Sequence, residues 1–550
     1  MFMEGKNMKK MRKVLTALVC GAMALTLTAC GGSSTSDSVV IMSENDLMSL
    51  DSRMATDGTS FNVISAFTDG LYGYAEDGTL ALALADDVKV SDDQLTYTFT
   101  LKDVKWSNGD AVTANDFVYA WRTVISKNSE YAFLLGSQGA NIKNAQSVMD
   151  NGGDVTTIGV TAKDDKTLVV ELDAKCGFLD KLLAFPTFFP INEKFAEEQG
   201  DQYANSTSAL LSCGAFKLDT WEVGTKVSLS KNADYWDADT VKINNLTINL
   251  AQDQSAAALQ YDNGELDYCV ISSSLVDKYK EESFYSNINN GFLWYLFVNF
   301  EDETLANENI RKGLSAAINR EDLCENVLKD GSSPATGFVP AELCKTEDGT
   351  DFAEKNGDLL AKNEINYDTA KAQEYINAGL KELGKSSVDI TMVYGTDEGV
   401  DDAATYLEQA FSKLDGVNFK LVPTQKQSRI NEYQEKGDFQ LSLTRWGPDY
   451  ADATTYLNNM EKSQWGGNNG GNNYGHYYNA KYDELMSKAR AASEASERES
   501  LLLQANEILM EDVAIIPIFS QGQAILSNPS LKGLVHNAAG TPYIYKYLTK

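Results

Sequence analysis

The chain of 550 residues has a formal net charge of −32, and 43% of its residues are hydrophobic. A single hydrophobic core rarely serves so long a chain, so we expect two or three domains. The composition is typical of a folded globular protein. The excess of acidic residues disfavours nucleic acid as a partner, because phosphate binding depends on lysine and arginine.

The amino-terminal residues have the pattern of an export signal. Basic residues between positions 9 and 13 precede an apolar run at 14–27, and small residues then lead to Cys30. The run is too short to cross a bilayer, which needs roughly 20 apolar residues. Charged, hydrophobic and small-residue regions in this order predict a signal peptide over residues 1–29. No later apolar segment of the sequence is long enough to cross a membrane.

Cys30 directly follows Leu27, Thr28 and Ala29, and this segment resembles the lipid attachment site of bacterial lipoproteins. The resemblance implies a lipid on Cys30, with residues 30–38 as a flexible Gly- and Ser-rich tether. The protein would then be anchored on the extracytoplasmic face of the cell membrane. An ordinary cleaved signal with a chance cysteine is the alternative.

Strands and helices alternate along the remaining chain. Apolar patterning predicts strands at 39–42, 95–101, 226–230, 243–250, 388–394 and 418–423. It predicts helices at 62–71, 114–124, 255–263, 369–383 and 402–414, the second of them with Thr113 as its N-cap. A loop at 465–475 is rich in Gly and Asn. This order predicts mixed α/β domains.

Residues 379–386 match the nucleotide-binding pattern G-x-x-x-x-G-K-S letter for letter. A phosphate-binding loop must follow a strand and begin a helix, so that its backbone amides face the phosphates. Here the predicted order is reversed, because a helix precedes the motif and a strand follows it. We therefore interpret Gly384 as the residue that ends helix 369–383, where a left-handed backbone suits glycine.

The usual residues of catalytic and metal sites are scarce. The chain has only two histidines, His476 and His536, and it has neither an HExxH nor a G-x-S-x-G motif. The five cysteines after Cys30 show no CxxC spacing, so they outline no zinc site and no dense disulfide framework. We expect no metal, no cofactor and no enzymatic activity, and a binding protein is the simplest hypothesis.

Residues 95–122 begin with a predicted strand in which Thr alternates with aromatic residues. Trp106, Asn108 and Gly109 follow it, and Trp121 lies near the end of the stretch. This stretch closely resembles the signature of the extracellular solute-binding proteins that serve peptide ABC importers. The similarity continues over nearly all of the mature chain, at 214–218, 231–237, 309–320 and 479–485. Most of these residues, including Trp106 and Trp121, are expected to belong to the scaffold.

The resemblance implies an α/β fold of the two-lobed, periplasmic-binding-protein-like type, with three mixed α/β domains and a ligand cleft between the lobes. A discontinuous domain I would combine residues 39–71, 186–290 and 515–550. Domain II would span 72–185, and domain III would span 291–514 as the opposite lobe. The chain would cross between lobes near 283–292 and 513–519, and a hinge motion would close the cleft over the ligand.

The resemblance also implies where ligand contacts lie. In oligopeptide binders, an aspartate three residues after a tryptophan holds the α-ammonium of the peptide, and Asp449 stands three residues after Trp446. A carboxylate suits this role, because an ammonium that enters a closed cleft loses its hydration. The alternatives are that Asp449 caps a turn beside Pro448 and that Trp446 packs in the core.

Weaker expectations fall on Tyr131 and on Ser60 and Phe61, which stand where family members reach into the cleft; ordinary surface or core is the alternative. Some relatives place an arginine three residues before the tryptophan to meet the peptide's carboxylate. Here Leu443 stands there, and Arg445 immediately precedes Trp446. Arg445 either points into the cleft or faces solvent, so the anchoring of the ligand's carboxyl end stays open.

The main hypothesis is a lipid-anchored, monomeric receptor that captures oligopeptides and delivers them to the permease of an ABC importer. One alternative is a receptor of the same fold for a dipeptide, a signalling peptide, haem or a metal chelate. Scarce histidine weighs against haem and metal, and the spacing of Trp446 and Asp449 favours a free amino terminus. Another alternative is a surface peptidase or adhesin built on this scaffold.

Overall fold

The computed structural model describes residues 37–397, 399–466 and 471–550. The predicted signal peptide, Cys30 and most of the tether lie outside these residues, as do four positions of the Gly- and Asn-rich loop. The strands of the described chain are β1 Ser38–Met42, β2 Tyr72–Tyr74, β3 Leu80–Leu82, β4 Ala85–Val90, β5 Thr96–Leu101, β6 Val160–Asp164, β7 Thr167–Glu171, β8 Phe216–Glu222, β9 Lys226–Lys231, β10 Asn245–Asn249, β11 Tyr268–Val270, β12 Tyr285–Val298, β13 Ser333–Pro334, β14 Val388–Gly395, β15 Val417–Thr424, β16 Leu441–Trp446, β17 Ile515–Ser527, β18 Val535–His536 and β19 Tyr543–Ile544.

Helices occupy much of the chain between these strands. The α-helices of at least seven residues are Gly58–Phe67, Ala114–Ser126, Ala145–Asn151, Glu193–Gln199, Gln254–Asp262, Ser273–Tyr279, Glu308–Ala316, Thr369–Leu383, Asp401–Phe411, Ala480–Ala491 and Ala495–Glu511. Shorter α-helices are Leu179–Leu182, Arg320–Asp322, Phe352–Asn356, Leu359–Lys362, Lys426–Ser428 and Thr454–Leu457. A 3-10 helix spans Glu130–Leu135, and π-helical turns span Leu323–Leu328 and Arg429–Gln434.

One large mixed sheet runs through the molecule in the order β15-β14-β16-β12-β17-β11-β1-β10-β9-β8, and β13 pairs with β17. A separate four-stranded antiparallel sheet, β4-β5-β7-β6, lies within residues 85–171. Strands and helices thus form the mixed α/β architecture that the sequence predicts.

The buried hydrophobic side chains fall into two clusters, which are the cores of two lobes. The first cluster draws on residues 39–279 and 524–548 and on Tyr450, and the second draws on residues 293–519 and on Ala539. Strands β12 and β17 cross from one cluster to the other, and their antiparallel register shifts between Asn289 and Leu293. The expected crossings near 283–292 and 513–519 fall on these strands. The division of the first lobe into domains I and II stays a prediction.

Local capping explains where two helices begin. Helix Ala114–Ser126 has the capping box that its sequence predicts, with Thr113 as N-cap and Asp116 as its partner. The prediction of a helix at 62–71 was wrong in its bounds. The helix spans Gly58–Phe67, because the Asp57 side chain accepts a hydrogen bond from the Ser60 amide and fixes the earlier start.

The nucleotide-loop match has the order that the sequence predicts. Helix Thr369–Leu383 ends at Gly384, whose φ is +66°, and strand β14 follows. A phosphate-binding loop needs the opposite order of strand and helix. Within the described ranges, no helix is both long and apolar enough to span a membrane.

Candidate functional site

A cavity of about 1310 Å³ opens between the two lobes. The first lobe contributes the start of helix Gly58–Phe67, together with Tyr131 and Phe185. The second lobe contributes the end of β16 and the turn that follows it, residues 444–449. Both lobes therefore line one candidate ligand site.

The turn after β16 is held in place by close backbone contacts. Trp446 pairs with Leu293 of β12, and the Tyr456 hydroxyl donates hydrogen bonds to the carbonyl oxygens of Gly291 and Trp446. Gly291 has a φ of +77°, and a Cβ built on it would lie 1.9 Å from the carbonyl oxygen of Ala538. Only glycine allows this approach, because both the backbone angle and the space exclude a side chain.

Asp449 ends this turn and presents its carboxylate to the cavity. Its backbone N–H donates to Thr455 Oγ1 at 3.2 Å, and its carboxylate interacts with the Tyr131 hydroxyl of the other lobe. Burial raises the pKa of Asp449 to about 7, and the interaction with the Tyr131 hydroxyl offsets only part of this effect. A positive group beside Asp449 would stabilise its charged form.

An aromatic group stands beside this carboxylate on the first lobe. The ring centroids of Phe61 and Phe185 are 4.7 Å apart, and Tyr131 lies 5.6 Å from Phe61 and 5.3 Å from Phe185. All three residues line the cavity. Such a wall excludes water from the carboxylate and strengthens its electrostatic interactions.

Ser60, predicted to reach the ligand, does not line the cavity. Its side chain is fully buried, and its hydroxyl donates to Asp57 Oδ2 at 2.6 Å. Ser60 Oγ in turn accepts hydrogen bonds from the amides of Met48 and Ser49, at 3.2 and 3.1 Å. Ser60 therefore holds the loop that precedes its helix, while its neighbour Phe61 faces the cavity.

Arg445 and Trp446 both line the cavity. Arg445 Nη1 donates to Gln521 Oε1 at 2.8 Å, and its guanidinium lies 4.6 Å from the Phe292 ring centroid and 5.4 Å from that of Trp294. Arg445 therefore points along the cavity wall and does not face open solvent. The Trp446 indole is half-buried, and its Nε1 is buried with no hydrogen-bond partner among the described residues.

The family described as "Bacterial extracellular solute-binding proteins, family 5 Middle" matches residues 79–468. The chain belongs to this family. Dipeptide-binding protein DppE of Bacillus subtilis (strain 168) is 31% identical over 510 residues, covering 91% of this chain and 90% of that protein. Oligopeptide-binding protein OppA of the same strain is 30% identical over 561 residues, covering 98% of this chain and 99% of that protein.

The fold is also similar to solved structures. The structure of Listeria monocytogenes OppA bound to peptide has a TM-score of 0.73 and 32% identity, and covers 94% of this chain and 100% of that chain. This family 5 protein therefore has the two-lobed, periplasmic-binding-protein-like α/β fold. The family is one of extracellular solute-binding proteins.

Several cavity residues of this solute-binding protein escaped the sequence analysis. Arg429 is 2% exposed, and its Nη1 donates to Gln434 Oε1 at 3.0 Å and to Thr444 Oγ1 at 2.8 Å. His536 is held neutral, because burial lowers its pKa to about 4. Arg429 begins a π-helical turn and His536 lies on β18, and both line the cavity only through tertiary packing, so no local sequence pattern could have identified them.

Metal binding has no support in the described ranges. No three His, Cys, Asp or Glu side chains there lie close enough together to hold a metal ion. The five cysteines of this part of the chain are all free, and four of them are buried. Polar, charged, aromatic and aliphatic side chains line the described part of the cavity.

Proposed function

We propose that this solute-binding protein captures oligopeptides that have a free amino terminus and delivers them to the permease of an ABC importer. The observation that carries the proposal is the buried Asp449 carboxylate in the cavity wall, which faces Tyr131 of the other lobe. The relatives that are named for binding dipeptides and oligopeptides support the ligand class.

The role of Asp449 follows from the energetics of buried charge. An ammonium in this cavity must be compensated by a carboxylate, or it suffers a large desolvation cost. The carboxylate has the same need, since burial raises its pKa to about 7. We propose that the peptide's α-ammonium pairs with Asp449 and that Tyr131 donates to the same carboxylate.

The surrounding residues would bind the rest of the peptide. Phe61 and Tyr131 would pack against the first side chain, and Trp446 would line a side-chain pocket. Arg445 would fix the cavity wall through Gln521. Backbone amides and carbonyls would pair with the peptide as with an added strand, which gives affinity without strict sequence preference.

The size of the cavity favours oligopeptides over dipeptides. Sites for small molecules usually enclose about 300–1,000 Å³, and this cavity encloses about 1310 Å³. That volume supports a ligand of several residues.

The proposal includes the placement and organisation of the protein. It would be tethered to the extracytoplasmic face of the membrane through a lipid on Cys30 and would act as a monomer without catalysis. We also propose the division into domains I, II and III at the boundaries given above. The separate sheet β4-β5-β7-β6 supports a distinct domain II within residues 72–185.

Mass spectrometry of the small molecules that acid releases from the purified protein tests the ligand class. A ladder of peptides would support the proposal and would give the preferred length. A single haem, metal chelate or other non-peptide species would contradict it. Incubation with a defined peptide tests catalysis in parallel, because the proposal requires the peptide to stay intact.

A further inference from the structure

A second contact joins the two lobes outside the cavity. Lys181, on the short helix Leu179–Leu182 of the first lobe, lies with its Nζ 3.2 Å from Asp452 Oδ2 of the second lobe. Arg498 of the second lobe donates to both oxygens of the same carboxylate, at 2.9 and 2.7 Å. Asp452 therefore receives one cation from each lobe.

Stacked rings lie beside this ion cluster. The rings of Phe178 and Tyr450 are 4.5 Å apart and nearly parallel, at 6°. The Arg498 guanidinium lies 5.6 Å from the centroid of Phe178. Within residues 291–514, Tyr450 is the one described residue whose buried side chain belongs to the core of the first lobe. We call Phe178, Lys181, Tyr450, Asp452 and Arg498 the interlobe clasp.

The charges of the clasp are buried and strongly coupled. Asp452 is 4% exposed, and burial disfavours its charge, but Arg498 and Lys181 hold its pKa below the usual range. Asp452 also accepts from the Thr454 hydroxyl at 2.7 Å. When the lobes separate here, Asp452 keeps Arg498 and loses Lys181, because only Lys181 lies on the first lobe.

The clasp is continuous with the proposed ligand site. Tyr450 directly follows Asp449, and Asp452 lies three residues beyond it. The clasp residues do not themselves line the cavity. A contact that fixes residues 450–452 against the first lobe also fixes Asp449 against Tyr131, which lies on that lobe.

We propose that the clasp positions Asp449 against the first lobe and slows release of the ligand. The ion pair between Lys181 and Asp452 breaks when the ligand is released. This inference rests on the proposed function, because it concerns how long a peptide stays bound. Lys181 and Phe178 are positioning residues in this scheme. Separation of the lobes breaks the Lys181 ion pair and the ring stack before a peptide at Asp449 can leave.

The test measures dissociation of a fluorescently labelled peptide by stopped-flow displacement. Truncation of one partner of a buried charge pair acts mainly on the dissociation rate. We expect Lys181→Met to speed dissociation about tenfold, equivalent to about 1.4 kcal/mol. Lys181→Arg keeps the charge and should return the rate to within about threefold of wild type.

Lys143→Met is the matched control. Lys143 pairs with Glu171 at 3.1 Å within the first lobe, and both side chains are 46% exposed. This variant removes one lysine charge without touching the clasp, so its dissociation rate should equal that of wild type. Thermal unfolding without peptide should be the same for wild type and Lys143→Met. Lys181→Met removes one of the two cations from buried Asp452, so we expect a lower melting temperature for it.

Equal dissociation rates for wild type and Lys181→Met would overturn the clasp. The clasp would also be overturned if Lys181→Arg released peptide as fast as Lys181→Met, because the positive charge at position 181 would then be irrelevant. If Lys181→Met does not fold, Lys181→Gln provides the same comparison. If wild type binds no peptide, the proposed function fails instead. Small-angle X-ray scattering then decides on the clasp, and an unchanged radius of gyration in Lys181→Met would refute it.

Discussion

Replacement of Asp449 by asparagine isolates the charge in the proposed site, because the two side chains have nearly the same shape. Burial raises the pKa of Asp449 from 3.8 to about 7. This change amounts to about 4 kcal/mol against the charged carboxylate, at 1.36 kcal/mol for each pKa unit. Removal of one partner of a buried charge pair costs about 2–5 kcal/mol.

The lower half of that range applies here, since the carboxylate of the empty cavity can take up a proton near pH 7 and so avoid an unpaired charge. We expect Asp449→Asn to weaken the binding of a free peptide by about 2–3 kcal/mol, or about 30- to 150-fold. An N-acetylated peptide has no ammonium, so it should bind wild type weakly and Asp449→Asn with similar affinity.

Isothermal titration calorimetry at pH 7.5 with one free peptide and its acetylated form measures all four affinities. Asp402→Asn is the matched control, because Asp402 also lines the cavity but is exposed. It should change affinity less than about threefold, as expected for a screened surface charge. If Asp449→Asn binds the free peptide as tightly as wild type, Asp449 does not hold the ammonium and the reasoning is wrong.

Three further predictions concern pH and the geometry of the site. Affinity for free peptides should fall as the pH drops below about 7, because the Asp449 carboxylate of the empty site then carries a proton that binding must displace. Titrations between pH 5 and 8 should show this fall in affinity in wild type and not in Asp449→Asn. Tyr131→Phe removes a hydroxyl that lowers the pKa of Asp449, so calorimetry should show affinity for free peptides about tenfold lower at pH 7.5. The fall in affinity at acidic pH should also begin at a higher pH. Gly291→Ala should destabilise the protein by about 2 kcal/mol or more in urea unfolding, because the added Cβ meets the Ala538 carbonyl. Gly384→Ala, with a similar φ and open space, should cost only about 1 kcal/mol, and equal losses would contradict the steric argument.

Local structure could be predicted well from the sequence. Helix Thr369–Leu383 has the predicted bounds and ends at Gly384 with the predicted left-handed backbone. Helix Ala114–Ser126 has the predicted Thr113 cap and extends two residues further than expected. Capping groups and apolar periodicity act within a few residues, so these features are contained in the chain itself. The resemblance carried by residues 95–122 likewise identified the family that the comparisons confirm.

The candidate site was only partly open to such reasoning. The resemblance predicted Asp449 and Trp446 as ligand contacts, and both line the cavity. Ser60 stands next to Phe61 in the chain, but its hydroxyl forms hydrogen bonds with Asp57, Met48 and Ser49. Ser60 therefore holds the preceding loop, whereas Phe61 lines the cavity. A one-residue step on a helix turns the side chain by about 100°, and only packing decides which direction is the cavity.

The sequence by itself determined the local structure of helices Ala114–Ser126 and Thr369–Leu383, the residues that cap them, and the family. Tertiary structure alone decided that Tyr131 meets Asp449, that Lys181 meets Asp452, and that Arg429 lines the same cavity. These partners lie on different lobes or distant strands, and no local signal links them. Their contacts depend on how β12 and β17 cross between the two cores, which the long-range packing of the whole chain determines.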